Sequence, residues 1–283
     1  MSKVESPMND LARLAPDGFE QIEMRKVRSS RRRRKMKLYA MQSAVLVASI
    51  VGWHFLAKAN ILPRFIFGEP VGVAVQMWKW FSNGSIFIHL GTTLLETILA
   101  FAIGTALGLA VGLWLGLVRS AAEVLDPFFN AFNSMPRIVL GPIFAVWFGL
   151  GIWSKVALGV TVVFFIVFFN VYQGVREVSK TILANTRMLG ASRAQLLHMV
   201  YIPSAMSWVF ASLHNAVGMA FVGAVVGEYL GSARGIGYLI LQAEGVFNIE
   251  GIFAGIITLT IFAYLLDQLV GVIERRLLIW RPQ

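Results

Sequence analysis

Long apolar runs of about 20 residues recur along this chain, and each is long enough to cross a lipid bilayer as a helix. Only 14% of the 283 residues are charged, against about 25% in a typical soluble domain. Inside hydrocarbon the backbone must satisfy its own hydrogen bonds, which segments of this length do as α-helices. The sequence therefore predicts an all-α polytopic membrane protein with six transmembrane helices. The predicted spans cover residues 38–57, 90–118, 128–150, 154–173, 204–229 and 252–273.

The distribution of basic residues predicts the orientation of these spans. Residues 25–37 contain nine basic residues and no acidic one, directly before the first span. Such a run binds nucleic acid in some proteins, but beside a span it favours the cytoplasm and anionic lipid head groups. Nineteen basic residues lie in segments on the N-terminal side of the membrane and five on the other side. Both termini are therefore predicted to be cytoplasmic, with membrane lipid and no nucleic acid as a partner.

Three regions follow from this topology. Residues 1–37 are predicted to be a flexible basic tail in the cytoplasm. Residues 38–89 hold the first span and an outer interfacial helix, in which tryptophans suit the head-group level. Residues 90–278 are predicted to form the main transmembrane domain.

Neither catalysis nor a bound cofactor is indicated by the residues present. The chain has no cysteine, and its four histidines are scattered, which argues against a metal site. It also lacks the Gly-x-x-x-x-Gly-Lys-Ser/Thr loop that binds nucleotide phosphates. We therefore expect a protein that is not an enzyme, with no catalytic, cofactor or metal residues.

Four glycines in the second predicted span recur at strict four-residue spacing: Gly104, Gly108, Gly112 and Gly116. On a helix this spacing produces one smooth face, where the backbone of a neighbouring helix can approach closely. The alternative is that glycine is simply common in membrane helices. The regular spacing favours a packing face.

Three ionisable residues within the predicted spans are candidates for a translocation path or gate, because charge in a bilayer is costly: Arg137, Glu228 and Asp267. Arg137 could instead extend its side chain to the cytoplasmic head groups. Glu228 could instead pair with Arg234 at the outer edge. Two prolines flank Arg137 in the first half of the third span, which predicts a kink or a break there.

A polar segment, residues 179–203, lies between the fourth and fifth spans and has the composition of an amphipathic helix. The predicted topology places it in the cytoplasm. It could dock in a groove of a soluble partner or lie on the inner membrane surface, and periodicity alone does not separate the two.

The same segment resembles a signature of the permease subunits of type I ATP-binding-cassette importers. That signature reads Glu-Ala-Ala, three residues, Gly, nine residues, Ile, one residue, Leu-Pro. Here Gly190 takes the glycine position, Val200, Ile202 and Pro203 take the final positions, and residues 184–186 (Ala-Asn-Thr) replace Glu-Ala-Ala. Residues 133–151 and 227–240 strengthen the resemblance, which extends from about residue 90 to the C-terminus and is closest to the nitrate, sulfonate and taurine branch.

The resemblance implies a specific assembly in the bacterial inner membrane. Residues 179–203 would be the coupling helix, which docks on an ATPase subunit that binds ATP and Mg in place of this chain. Two copies of the chain would pair, with two ATPase subunits inside and a periplasmic or lipid-anchored binding protein outside. Because the signature acid is replaced by Ala184, docking should depend on shape and on basic side chains. The expected docking residues are Arg187, Leu189, Gly190, Ala191, Arg193, Leu196 and Pro203.

The function implied by the resemblance is import of a small anionic solute, such as a sulfonate, taurine, nitrate or a related organic compound. Two rival classes stay open on the residues alone. An ion-coupled secondary transporter would need its own coupling site and usually an inverted repeat, and no convincing repeat is present. A membrane assembly subunit without transport activity would have little need for charges within its spans.

Overall fold

The computed structural model of the chain describes residues 16–277, with side chains at most positions from residue 34 onward. Within this range the chain forms helices joined by short turns and contains no strand, which confirms the predicted fold class. In chain order the elements are α1 (Pro16–Lys58), α2 (Arg64–Phe67), α3 (Pro70–Ser82), α4 (Ser85–Leu117), α5 (Arg119–Ser134), a short 3-10 helix (Arg137–Leu140), α6 (Gly141–Phe148), α7 (Ile152–Arg176), α8 (Lys180–Met188), α9 (Arg193–Leu196), a π-helical turn (Leu197–Tyr201), α10 (Ile202–Leu230), α11 (Ile236–Gly245) and α12 (Ile249–Leu277).

Five helical segments are long and apolar enough to cross a bilayer, and a bent helix pair brings the number to six if it counts as one span. The bent pair, α5 with the segment Arg137–Phe148, occupies the predicted third span. The number of spans therefore agrees with the prediction when the pair crosses once. The five single spans are Met36–Lys58, Ser85–Leu117, Ile152–Arg176, Ser212–Leu230 and Ile249–Val272.

The third span is broken where Pro136 occurs, as the prolines predict. The two halves of the pair meet at 87°. Met135, the residue before the proline, is extended (φ −71°, ψ 132°), because a proline disfavours the helical conformation of its predecessor. The chain then resumes as the 3-10 helix and α6.

The described chain divides into two compact units between Arg64 and Phe65. The first unit contains α1, which starts at Pro16 and includes most of the predicted basic tail. Residues 16–37 of the predicted tail are helical, and residues 1–15 lie outside the described residues. No proline or glycine occurs between Gly18 and Gly52, and arginine, lysine and methionine favour helix.

The second unit begins at Phe65 and so includes the segment that was predicted to be an outer interfacial helix. Helix α3 lies within this unit because it packs on α12. A Cβ added at Gly72 of α3 would lie 2.7 Å from Cγ of Glu250, and one added at Gly68 in the preceding turn would lie 3.4 Å from Cγ2 of Ile249. Residue 278, the predicted end of the domain, lies outside the described residues.

Helix α7 lies at the centre of the second unit, between α4 and α10. The four regularly spaced glycines of α4 lie against a matching row of valines on α7. A Cβ atom added at any of them would lie only 2.7–2.9 Å from a valine Cβ, so the two backbones approach as closely as glycine allows. The pairs are Gly104 with Val163, Gly108 with Val167, Gly112 with Val171 and Gly116 with Val175.

Replacing Gly108 by leucine is expected to destabilise the unit by roughly 1–3 kcal/mol or more, because the added side chain overpacks this contact. Thermal unfolding of the purified protein in detergent measures the change. Gly91 lies on the same helix with nothing within 4 Å of the position of a Cβ, so Gly91→Leu is the matched control. Equal melting temperatures for the two variants would contradict the packing assignment.

Candidate functional site

The segment predicted to be one coupling helix, residues 179–203, forms two helices joined at Gly190. Gly190 has a positive φ of 81° and ends α8, with its N–H donating to the carbonyl of Arg187 (3.0 Å). The N–H of Ala191 donates to the carbonyl of Thr186 (3.2 Å). These two bonds form a Schellman motif, in which glycine is favoured because it adopts the left-handed conformation without strain. We call residues 179–203 the coupling segment.

A capping box starts the second helix of the coupling segment. The backbone N–H of Ser192 donates to the Gln195 side chain (2.8 Å), and the N–H of Gln195 donates to the Ser192 hydroxyl (3.3 Å). These reciprocal bonds satisfy N–H groups that the start of a helix leaves unpaired. The turn at residues 189–192 is therefore held by local hydrogen bonds on both sides.

The turn presents an exposed apolar tip. Met188 is 85% exposed and Leu189 is 87% exposed, and Gly190 has no atom within 4 Å of the position that a Cβ would occupy. Arg187 is exposed beside them. Two adjacent large apolar side chains at this turn are therefore left almost entirely uncovered by the described part of the chain.

Two of the expected docking residues, Leu196 and Pro203, do not lie on the exposed turn. Leu196 is only 6% exposed, so it packs inside the chain and is not available to a partner. Pro203 was expected to end the coupling segment, but it lies in the first turn of α10. Because proline cannot donate a hydrogen bond to the carbonyl four residues earlier, the π-helical turn just before it accommodates the missing bond. The side chain of Arg193 lies outside the described part of the chain.

A buried cluster of charged side chains lies where α4 and α7 begin and α10 ends. Glu96, Lys155 and Glu228 are each at most 1% exposed. The two carboxyl groups contact each other, and Lys155 lies close enough to interact with both. The Lys155 ammonium also donates hydrogen bonds to the carbonyls of Leu150 (2.7 Å) and Gly151 (3.0 Å). Pairing and hydrogen bonding reduce the cost of burying such groups, although Oε2 of Glu96 has no hydrogen-bond partner among the described residues.

The same cluster holds the start of α11. One carboxylate oxygen of Glu228 accepts from the Thr93 hydroxyl (2.6 Å), and the other accepts from the N–H of Gly237 (2.8 Å). The N–H of Ile236 donates to the Thr93 hydroxyl (3.2 Å). A carboxylate at the N-terminus of a helix is favoured because the first N–H groups lack partners within the helix.

The backbone at Gly235 explains the glycine-rich sequence before α11. Gly235 has a φ of 109°, and a Cβ there would lie 2.1 Å from the Glu228 carboxyl carbon. Its N–H donates to Nδ1 of His89 (3.1 Å). The sequence suggested that Glu228 either contacts a solute or pairs with Arg234. In the structure its side chain is buried, and its carboxylate binds the backbone at the start of α11.

Arg137 lies at the level of the middle of α7. Its guanidinium covers the Phe165 ring at 5.0 Å from the centroid. Phe165 is 13 residues after the start of α7 and 11 before its end, roughly 20 and 17 Å along the helix axis. The guanidinium therefore lies about midway along α7, away from both ends of that helix. The residue is half-buried at the break in the third span.

Asp267 pairs with a residue that the sequence did not single out. Its Oδ1 lies 2.8 Å from Nε2 of His214, which joins α12 to α10. Both side chains are partly exposed, at 54% and 38%, beside a cavity of ≈ 380 Å³ between the two helices. His214 looked like one of several scattered histidines, because its partner is 53 residues away in the sequence.

Residues 104–279, more than half of the chain, match the family described as "Binding-protein-dependent transport system inner membrane component". The taurine transport system permease protein TauC of Escherichia coli is 29% identical over 243 residues, which are 84% of this chain and 88% of that protein. The riboflavin transport system permease protein RibX of Chloroflexus aurantiacus is 33% identical over 235 residues, which are 83% of this chain and 88% of that protein.

A solved structure of the MetNI methionine ABC transporter in an inward-facing conformation shares the fold. The TM-score is 0.58 at 19% identity, over 68% of this chain and 95% of that chain. The helix order, the coupling segment and the family match agree with one another. The chain therefore belongs to the binding-protein-dependent transport system inner membrane components, and it is a permease subunit of an ABC importer, in the branch that includes the taurine and sulfonate permeases.

Proposed function

We propose that this chain forms the translocation path for a small sulfonate-type anion, powered by an ATPase subunit that docks at the exposed tip of the coupling segment. Two copies pair around the path, each with one ATPase subunit, and an external binding protein delivers the solute. Both termini lie in the cytoplasm of a bacterial cell, and the chain is embedded in the inner membrane. ATP and Mg bind to the ATPase subunit.

The exposed tip is the observation that carries the docking part of this proposal. Met188 and Leu189 extend from a turn whose shape is fixed by hydrogen bonds on both sides. A rigid apolar tip of this kind fits the helix-in-groove mode of recognition, in which side chains on one short helix fill a hydrophobic groove. Arg187 beside it offers a charge for an acidic partner surface.

The partly exposed polar groups within the spans support the pairing of two copies. The His214–Asp267 pair and Arg137 all lie within or between membrane-spanning helices. Polar groups at this depth lie against protein or water, since lipid contact is costly. In the proposed assembly these faces are directed towards the second copy or towards the path.

Uptake into proteoliposomes tests the proposal. The chain is reconstituted with its ATPase subunit and binding protein, with labelled taurine or ethanesulfonate outside and ATP inside. We expect uptake that requires ATP and the binding protein and that persists when ionophores collapse the proton and sodium gradients. Uptake that follows an imposed ion gradient without ATP would contradict the proposal and support a secondary transporter.

A further inference from the structure

Arg137 carries a permanent charge that the described residues do not neutralise. Its guanidinium lies over the Phe165 ring, and its Nη2 donates to Oδ1 of Asn133 at 2.6 Å and to the main-chain carbonyl of Asn133 at 3.4 Å. No carboxylate of the described residues lies within ion-pair distance of it, and its Nε–H is buried without a hydrogen-bond partner there. A guanidinium at this depth needs water or an anion beside it, because hydrocarbon does not solvate it.

A polar stripe on α5 continues from Arg137 along the span. Asn130, Asn133 and Ser134 are three and four residues apart, so they share one face of the helix, and all three are exposed. The Ser134 hydroxyl donates to the Asn130 carbonyl (2.9 Å). Besides the Oδ1 that accepts from Arg137, the Asn133 amide carries two N–H donors, and the guanidinium carries further N–H donors.

The break in the span adds an independent reason to place this face against water or protein. At membrane depth, backbone that departs from a regular helix is tolerated only where it is buried in protein or lines a water-filled cavity. Ser134 is the last residue of α5, and Arg137 starts the 3-10 helix, so both flank the break. The polar stripe on α5 and the break in the third span are therefore both expected to face water or protein and not lipid.

We propose that Arg137 and Asn133 form an anion-binding site within the translocation path, which takes the oxyanion head group of the solute, such as a sulfonate. A guanidinium beside an amide N–H suits an oxyanion because both offer directed donors to its oxygens. The site rests on the proposed function, which supplies the path. It also provides a chemical basis for the solute class, since relatives at similar identity are named for solutes as different as taurine and riboflavin.

The absence of cysteine makes a direct test possible in the assembled transporter. Ser134→Cys is labelled with sulfonatoethyl methanethiosulfonate, an anion, and with its trimethylammonium counterpart, a cation. In both reactions the thiolate displaces methanesulfinate and forms a mixed disulfide. Relative to the ratio for a free thiol, we expect the anionic reagent to be favoured about tenfold, and Arg137→Gln to abolish this preference. Ethanesulfonate should slow labelling only while Arg137 is present.

Two further variants make the result decisive. Arg137→Lys keeps the charge and should keep most of the anion preference, which separates loss of charge from damage to the fold. Phe132→Cys lies on another face of α5 and should react with neither reagent. If Ser134→Cys reacts with neither reagent, the inference is overturned, because the polar stripe on α5 would then not be in water.

Labelling of Ser134→Cys without any preference that depends on Arg137 would also overturn the site, while it would leave an aqueous path in place. The proposed function fails on a different measurement, namely uptake that does not require ATP. The two outcomes are therefore distinguishable.

Discussion

Lys155→Met is expected to lower the free energy of unfolding by about 3–5 kcal/mol, the cost of leaving buried charge without its partner. The ammonium lies with the carboxyl groups of Glu96 and Glu228, and all three side chains are at most 1% exposed. Methionine fills a similar volume but supplies no positive charge and no donors for the carbonyls of Leu150 and Gly151. Thermal unfolding in detergent measures the loss.

Two controls separate this effect from a general sensitivity to lysine replacement. Lys79→Met removes an exposed lysine from α3 and should change stability by no more than about 0.5 kcal/mol. Adding Glu96→Gln to Lys155→Met removes one of the two carboxyl groups that Lys155 no longer contacts and should restore part of the stability, as contacting residues are not additive. A Lys155→Met protein as stable as the Lys79→Met protein would show that the cluster does not hold the helices together.

This cluster also shows what the sequence could not predict. Glu228 was singled out because it is a charge in a span, but Lys155 was one of the five basic residues that the predicted topology places on the outer side. The two lie 73 residues apart on different helices, and no periodicity connects them. Only the packing of α4, α7 and α10 brings them together, and that packing depends on side-chain shape along whole helices.

Local features were predicted more successfully, because their causes are local. Apolar length predicted the spans, and Pro136 predicted the break in the third one. The tail was predicted to be flexible because its first 24 residues are polar, contain Pro7, Pro16 and Gly18, and show no periodicity, whereas residues 16–37 are helical in the structure. Leu196 was assigned to the partner surface because the sequence does not show which side of a short amphipathic helix faces the rest of the chain.

Gly190→Trp is expected to reduce association with the ATPase subunit at least tenfold, which corresponds to about 1.4 kcal/mol. A tryptophan at this position meets no atom of the chain itself within 4 Å of its Cβ, so its bulk acts on the partner surface. It would occupy space beside Met188 and Leu189 that a closely docked groove needs. Co-purification with a tagged ATPase subunit measures the change.

The matched control is Gly190→Asn. Asparagine tolerates the left-handed conformation better than other residues with a side chain, so it preserves the turn at a φ of 81° with a much smaller side chain. Both variants replace the same glycine. A third variant, Gly190→Ala, carries the strain of an ordinary side chain at this φ without bulk, so comparison of all three separates the size of the side chain from the strain of the turn.

The amount of ATPase subunit that co-purifies with Gly190→Asn and with Gly190→Trp therefore tests whether this permease is driven through its coupling segment. We predict that the asparagine variant retains most of the ATPase subunit and the tryptophan variant retains about a tenth or less. Equal amounts on both variants, each at the level of the unmodified protein, would contradict docking at this turn.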